Sequence, residues 1–207
     1  EYKEPIIVVA NEFFDCFPIK QFYKKNNSWY EKMVLYHSNN KTLGFTDMKV
    51  DDLKTLKKIE SYKSLNILEI SKSREKFFSN ICKHIIKSRG MMIAIDYGYL
   101  DEPENFTLQS VYNNKHSNVL DNIGYQDITS LVNFKSLISI AKSYDLEIDV
   151  FTTQRKFLIQ NGIYERSKKI LDKCKEYQKK IITDGLERII EKKNMGSLFK
   201  VLVISKS

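Results

Sequence analysis

Two apolar runs constrain this chain more than any other feature. "PIIVVANEFFDCFP" carries Ile6 to Ala10 without a break, and "MMIAIDYGY" carries Met91 to Ile95. A continuous, β-branched-rich run of this length reads as a strand buried on both faces, and such strands belong mostly to parallel sheets covered by helices. Both runs end in polar groups: Ala10 passes into Asn11 and Glu12, and Ile95 into Asp96. In open α/β sheets, ligands sit outside the carboxyl ends of the strands. These groups are therefore expected where a ligand would bind, Met91–Ile95 ending in Asp96, Tyr97 and Gly98.

The remaining pattern supports an α/β sheet. Trp29 to Tyr36 reads as a half-buried strand, and "NNKTLGF" supplies turn chemistry before a second short strand, a hairpin insertion over 28–46. Asp51 is placed to cap a helix with apolar positions Leu53, Leu56 and Ile59. Leu65 to Ser71 is extended or leads into the next helix. Ser71 caps that helix, Phe77, Phe78, Ile81, Ile85 and Ile86 form its stripe, and Gly90 ends it. Leu100 to Tyr125 shows no period and reads as a long loop, the sort of segment that often carries function. Phe134, Leu137, Ile138 and Ala141 mark a helix, "LEIDVFTT" a strand, Phe157–Ile159, Ile163–Tyr177 and "GLERIIEKK" three helices, and "SLFKVLVIS" a closing buried strand.

Composition narrows the function classes. The 207 residues are 42% hydrophobic and 12% aromatic, a globular balance. No apolar run approaches the ~20 residues of a membrane span. The first ten residues read as a strand rather than a signal peptide. Cys16, Cys82 and Cys174 are far apart and odd in number, and His37, His84 and His116 lack ligand spacing, so neither a disulfide framework nor a metal site is expected. The net charge of +8 is spread along the whole length, as a solvated lysine surface would be, rather than gathered into a nucleic-acid patch.

"ANEFFDCFPIKQF", "IAIDYGY", "FTLQSVYNNKH", "QDITSLVNF", "TTQRKFL" and "MGSLFKVLVIS" occur in that order. In this the chain resembles the MidA-type S-adenosylmethionine-dependent methyltransferases over nearly its whole length. The resemblance implies a class I, Rossmann-like, mostly parallel sheet with helices on both faces, with Ile6–Ala10 expected beside Met91–Ile95. It implies that the final strand, Leu198 to Ile204, is antiparallel to its neighbour, and that Asp96, Tyr97 and Gly98 lie on a loop next to the one after Ala10. It implies a protein arginine methyltransferase linked to assembly of respiratory complex I. Carried over residue by residue, Asn11 meets the cofactor, Glu12 and Asp15 are catalytic, and Asp96, Tyr97, Gln109 and His116 meet the substrate, with Thr107 in the same insertion. Two stretches depart from the family pattern: Leu131 stands for an expected histidine and Asn133 for an expected aspartate, removing polar groups near the cleft. Cys16 stands where alanine is usual.

The family's glycine-rich turn after the first strand is missing from these seven glycines. That turn lets the backbone approach the cofactor's methionine end. By the resemblance, 1–207 is the C-terminal part of a single methyltransferase domain, with the hairpin at 28–46 and a loop and helix insertion at 99–133. The chain starts at Glu1, and the N-terminal half of the fold is expected upstream or in a partner. The chain alone is then expected to bind S-adenosylmethionine no more tightly than the millimolar range, roughly −4 kcal/mol. The implied locale is the cytoplasm in a bacterium and the mitochondrial matrix in a eukaryote.

Glu12 and Asp15 have a definite use in that reading. A guanidinium is planar, always charged and rich in N–H donors, so two carboxylates can hold and orient it. The plainer reading has Asp15 capping a turn and Glu12 merely exposed. Two other functions stay open: a catalytically inactive assembly module related to complex I assembly, and a nucleic-acid methyltransferase. "NEFF" argues against the last, because it lacks prolines and adds a carboxylate that would repel phosphate.

Overall fold

The computed structural model describes residues 4–60, 66–101 and 103–206. Along the chain run β1 (Ile7–Asn11), β2 (Lys20–Lys25), β3 (Ser28–His37), β4 (Thr42–Lys49), α1 (Leu53–Glu60), β5 (Ile67–Ile70) and α2 (Lys72–Ser88). Then come β6 (Met91–Tyr99), β7 (Gln109–Tyr112), β8 (Lys115–Ser117), β9 (Asp127–Thr129), β10 (Val132–Asn133) and α3 (Phe134–Ser143). The last elements are β11 (Glu147–Thr153), α4 (Gln154–Gln160), α5 (Ile163–Leu171), α6 (Glu176–Ile190) and β12 (Phe199–Ser205). They fall into two compact units: Glu1–Asp15, Phe77–Leu100 and Val132–Ser207 form one, and Cys16–Lys76 with Asp101–Leu131 form the other.

The first unit holds a sheet in the order β1-β6-β12-β11, with β10 also paired to β6. β1 and β10 run parallel to β6, and β12 runs antiparallel to both β6 and β11. β12 is therefore the one reversed strand, and the other four share a direction. The opening strand beside Met91–Ile95 and the reversed final strand are as expected. Phe78, Cys82 and Ile85 of α2, Met92 and Ala94 of β6, and Leu202 and Ile204 of β12 are all fully or almost fully buried. Each large side chain of that kind contributes about 1.5–3 kcal/mol by leaving water.

Burial corrects the reading of β1. Only Ala10 is buried; Ile7 and Val9 are 69% and 64% exposed. β1 is the sheet's edge, and the face bearing Ile7 and Val9 has no cover among the described residues. A run rich in β-branched residues looks the same whether or not its cover is present.

The end of α2 is also rearranged. Ser71 does cap it, its Oγ accepting from the Arg74 N–H at 3.3 Å. The left-handed residue past the helix is Arg89 (φ +50), not Gly90. Gly90 is required for another reason: a Cβ there would sit 2.3 Å from the Ile6 carbonyl oxygen. That oxygen accepts from the Met91 N–H at 2.8 Å as β1 enters the sheet. The stripe of α2 is rotated as well, because Phe77 is exposed while Phe78, Cys82 and Ile85 are buried.

The second unit pairs β4-β3-β2-β5 in an antiparallel sheet, beside a smaller sheet β8-β7-β9. Phe22, Trp29, Val50, Ile59, Leu68 and Ile70 form its core. α1 is capped by Asp52 rather than Asp51, with the Thr55 N–H donating to Asp52 Oδ2 at 2.7 Å. The one-residue shift leaves Leu53 exposed and turns Ile59 inward. Leu65, the start of the expected extended stretch, lies outside the described residues; Ile67–Ile70 is a strand.

The segment from Leu100 to Tyr125 is not simply a loop. It carries β7 and β8, joined through Asn113 and Asn114, both at positive φ (49° and 59°). Asn26 and Asn27 turn the β2–β3 hairpin in the same way, at 49° and 59°. A two-residue turn of this mirror-image type needs positive φ at both positions, which asparagine tolerates best after glycine. Near the end of the chain, the helix expected from "GLERIIEKK" merges into α6, with Gly185 inside it, and the helix expected over Ile163–Tyr177 breaks after Leu171.

Candidate active site at the carboxyl end of the first strand

β1 does not stop cleanly. The Glu12 N–H donates to the Ile95 carbonyl at 2.9 Å, extending the ladder by one bond, and Glu12 itself takes φ +48. The chain then turns sharply across the end of the sheet. The Phe13 and Phe14 N–H groups both donate to Asp96 Oδ2, at 3.1 and 2.8 Å. Asp96 Oδ1 accepts from the N–H of its neighbour Tyr97 at 3.0 Å. One carboxylate thus accepts three backbone N–H groups, two from the turn and one from β6 itself.

This corrects the expected loop at Asp96, Tyr97 and Gly98. β6 continues through all three to Tyr99. Two neighbours hold it extended: Phe199 and Lys200 of β12 pair with Tyr97 and Asp96, and Val132 of β10 pairs with Gly98. Gly98 is needed for that approach, since a Cβ there would lie 2.2 Å from the Val132 carbonyl oxygen. Tyr97 is half-buried, its ring edge-on to Phe199 at 5.3 Å.

Asp96 is fully buried and Asp15 is 5% exposed. Burial, helped by the charge of Asp15, pushes the Asp96 carboxyl up to about 7, while the three N–H bonds pull it the other way. No hydrogen-bond donor among the described residues is recorded at the Asp15 carboxylate. Asn11 and Glu12, by contrast, are exposed. The Asn11 Nδ2 lies 3.5 Å from Glu12 Oε1, the far limit of a hydrogen bond. Phe13 and Phe14 meet edge-on at 5.4 Å, and Phe13 also lies 5.3 Å from Phe77.

Asn11, Glu12, Asp15, Asp96 and Tyr97 are therefore brought together in one unit. Gln109 and His116 belong to the other, on β7 and β8. Gln109 Nε2 reaches Thr129 Oγ1 at 3.5 Å, and His116 is exposed opposite Val111. No group of three or more metal-binding side chains occurs among the described residues.

Sequence reasoning misses the buried charges of the second unit: Glu31, paired with Lys20 at 2.6 Å, Glu69 and Arg74. Glu69 Oε1 accepts from Gln21 Nε2 at 2.7 Å and from the Thr107 N–H at 2.9 Å, and Glu69 Oε2 from Thr107 Oγ1 at 2.5 Å. Arg74 Nη2 donates to Ser130 Oγ at 2.9 Å, and its Nη1 reaches the Leu131 carbonyl at 3.4 Å. Glu69 sits inside the "LEI" strand, where a polar residue with apolar neighbours was the available signal. Of the departures from the family pattern, Leu131 lies in this unit and Asn133 in the first. Leu131 works through its main chain, its N–H donating to Thr107 Oγ1 at 3.0 Å. Asn133 caps α3, accepting from the Ser136 N–H at 3.0 Å, a task asparagine and aspartate perform about equally.

For a methyl donor, the residues present fit one wall of a site. Asn11 offers an exposed amide donor and acceptor at a strand end. The glycines at the sheet, Gly90 and Gly98, are filled by neighbouring backbone and leave no cradle for a ligand.

Residues 1–152 match the family model described as "Putative S-adenosyl-L-methionine-dependent methyltransferase". The protein arginine methyltransferase NDUFAF7 homolog, mitochondrial, of Caenorhabditis elegans is 29% identical over 91% of this chain and 43% of its own length. Protein arginine methyltransferase NDUFAF7, mitochondrial, of Danio rerio is 25% identical over 94% of this chain and 46% of its own. The chain thus spans less than half the length of these curated relatives. A crystal structure from Burkholderia thailandensis bound to S-adenosyl-homocysteine superimposes with a TM-score of 0.84 at 21% identity, covering 99% of this chain and 55% of that one. The likeness establishes the fold as α/β and class I methyltransferase-like.

Proposed function

The chain belongs to this family of S-adenosyl-L-methionine-dependent methyltransferases, and on that premise we propose that it forms the substrate-binding part of a protein arginine methyltransferase. The observation that carries the reading is the pair of buried carboxylates, Asp15 and Asp96, behind the exposed Glu12. Asp96 spends its oxygens on backbone N–H groups. Asp15 and Glu12 remain for a cationic guest, and a guanidinium supplies N–H donors in a planar fork that matches them. The relatives named as protein arginine methyltransferases support this choice of substrate.

The reading divides the labour among these residues. Asp96 positions the turn; Glu12 and Asp15 hold the guanidinium and orient one nitrogen, as two-point contacts do best. S-adenosylmethionine, when bound, would supply an electrophilic methyl group whose bonding electron pair would stay with sulfur. The arginine nitrogen would take that methyl and give up a proton, which Glu12 or Asp15 would accept. Asn11, exposed at the end of β1, is assigned to the donor in this reading. Tyr97, Gln109 and His116 are retained as candidate substrate contacts.

In this reading 1–207 is the C-terminal part of one methyltransferase domain, with additions at 28–46 and 99–133. The N-terminal half of the same fold pairs with β1 and covers Ile7 and Val9. Their exposure and the share of the relatives' length support that partner. The protein substrate includes a respiratory complex I subunit by family resemblance. Placement in the mitochondrial matrix of a eukaryote, or the cytoplasm of a bacterium, follows the mitochondrial relatives. No helix among the described residues is long and apolar enough to cross a membrane.

The test is single-turnover transfer of a radiolabelled methyl group from S-adenosylmethionine to arginine in a protein substrate, with both halves of the fold present. Glu12→Gln keeps the shape and removes the charge, a contact worth about 1.5–3 kcal/mol. If that contact tightens toward the transition state, the rate falls roughly 10–200-fold. A label that appears on another residue type would overturn the arginine assignment. Full activity in Glu12→Gln would overturn the carboxylate clamp.

A further inference from the structure

β3 and β4 run on past the rest of their sheet. β2 pairs with β3 only from Ser28 to Lys32. Among the described residues, Met33 to His37 therefore pair only with β4, in register from Met33 opposite Thr46 to His37 opposite Thr42. A two-stranded ribbon is marginal in water by itself. On this one Val34 and Tyr36 are 53% and 57% exposed, and Leu35, Phe45 and Met48 are exposed too.

β4 is also an outer strand. The sheet order is β4-β3-β2-β5, and no strand pairs with the far side of β4 among the described residues. Edges are usually guarded by proline, by a bulge or by several charges, lysine above all. β4, "TLGFTDMK", has no proline, pairs with β3 without a register break, and holds its one lysine at its end.

The residues of β4 complement themselves. When a second β4 lies antiparallel to the first with Gly44 opposite Gly44, Leu43 faces Phe45 and Thr42 faces Thr46. Lys41, the residue before β4, then faces Asp47. Two-fold symmetry makes each of these pairs occur twice, because residue i meets j and j meets i. Thr–Thr and opposite-charge pairs are favourable cross-strand contacts, and Leu43 against Phe45 takes apolar surface out of water. The neighbouring registers are poorer: centring on Phe45 sets Lys41 against Lys49, and centring on Leu43 sets Asp47 against Asn39. Asp47 also accepts from the Tyr23 hydroxyl, which leaves its second oxygen for a lysine. We propose that two copies of the chain form a two-fold dimer by joining their β4 edges, centred on Gly44, into one continuous antiparallel sheet. This contact is separate from β1, which belongs to the other unit, and does not depend on methyl transfer.

The experiment is analytical ultracentrifugation of the full chain over a dilution series. The parent should show a single monomer–dimer equilibrium. Lys41→Asp changes a turn residue at φ +55, a geometry aspartate tolerates, and sets carboxylate against carboxylate twice. It should raise the dimer dissociation constant at least about tenfold and leave the melting temperature of the dilute monomer unchanged. Asp47→Lys should weaken the dimer in the same way. Combining the two restores both charge pairs with their signs exchanged, and should return the constant to within about threefold of the parent. Lys115→Glu on the exposed β8 should leave it unchanged. A chain that stays monomeric, a dimer indifferent to Lys41→Asp, or a double variant no tighter than the single ones would overturn the proposal. A dimer abolished by Val9→Lys would place the contact at β1 instead. A dimer dissolved by the co-expressed N-terminal half of the fold would give the ribbon to that half, and either result would also overturn it.

Discussion

Replacing Glu12 by glycine should make the protein more stable and the complete enzyme less active. Glu12 sits at φ +48, where a residue with a Cβ pays roughly 1–2 kcal/mol and glycine pays nothing. Against that relief stands the larger backbone entropy of glycine in the unfolded chain, about 0.5–1 kcal/mol. Little else is lost, because the Glu12 carboxylate is exposed and its only recorded hydrogen bond, from Asn11, is 3.5 Å long. The net gain is about 0.5–1 kcal/mol, or roughly 1–4 °C in melting temperature for a domain of this size. Glu12→Gln keeps the same backbone cost and should be within about 0.5 kcal/mol of the parent. Arg89→Gly is the internal control: it shares the left-handed geometry (φ +50), lies after α2 and belongs to no proposed site. It should gain similar stability and leave methyl transfer alone. The assay is urea and thermal unfolding of all three variants beside single-turnover methylation. If Arg89→Gly is stabilised and Glu12→Gly is not, the turn at Glu12 is unstrained. If Glu12→Gly gains stability and keeps full rate, the strained glutamate has no role in the chemistry.

Asp96 should impose a pH dependence on stability. Its carboxyl is raised from 3.8 to about 7 by burial and by Asp15, so between those values the folded state holds a proton that the unfolded state has released. Stability from this group is complete below about pH 4 and lost as pH rises through about 7, roughly 4 kcal/mol at most, and Asp96→Asn should flatten that slope in urea midpoints measured from pH 4 to 8. Gly98→Ala drives a Cβ to within 2.2 Å of the Val132 carbonyl oxygen, so it should cost about 1–3 kcal/mol or more and lower the melting temperature; an unchanged melt would mean β10 can move away freely. Asn133→Ala should lose about 1 kcal/mol of stability through the α3 cap while Asn133→Asp loses none, and equal losses would deny the cap its role.

Some of this was legible in the sequence and some could not be. Apolar runs announce strands because burial selects for them locally, and β1, β6 and β12 were visible for that reason. The pairing of β1 with β6 was expected, and the reversal of β12 came with the family resemblance, since nothing local to "SLFKVLVIS" states its direction; the place of β11 at the sheet's far side was found only in the structure. Asp96 looked like a loop residue because an acidic side chain after five apolar ones usually ends a strand. Its place inside β6 depends on pairing with Lys200 and on Phe13 and Phe14, all more than 80 positions away in sequence. β7 and β8 were hidden by their brevity, four and three residues, too few for a period to appear. The Asn113–Asn114 pair was their one local signal, and Asn26–Asn27 shows it used twice. Glu69 showed only as a polar residue among apolar neighbours, and Arg74 not at all, because a buried network is defined by partners that folding assembles.

The opening motif then has a physical explanation that joins its parts. An apolar strand that ends at a ligand edge must bend away at once, and the bend exposes backbone donors to a dry interior. A buried carboxylate on the next strand can accept them, which is what Asp96 does. Accepting Phe13 and Phe14 together at Asp96 Oδ2 fixes where the chain goes after Ala10, and Glu12 is left in the left-handed region as the residue that absorbs the turn. Glycine would serve that geometry more cheaply. A glutamate kept there at a cost, with its carboxylate in solvent and a second buried carboxylate three residues on, is better explained by what it can bind than by what it holds together.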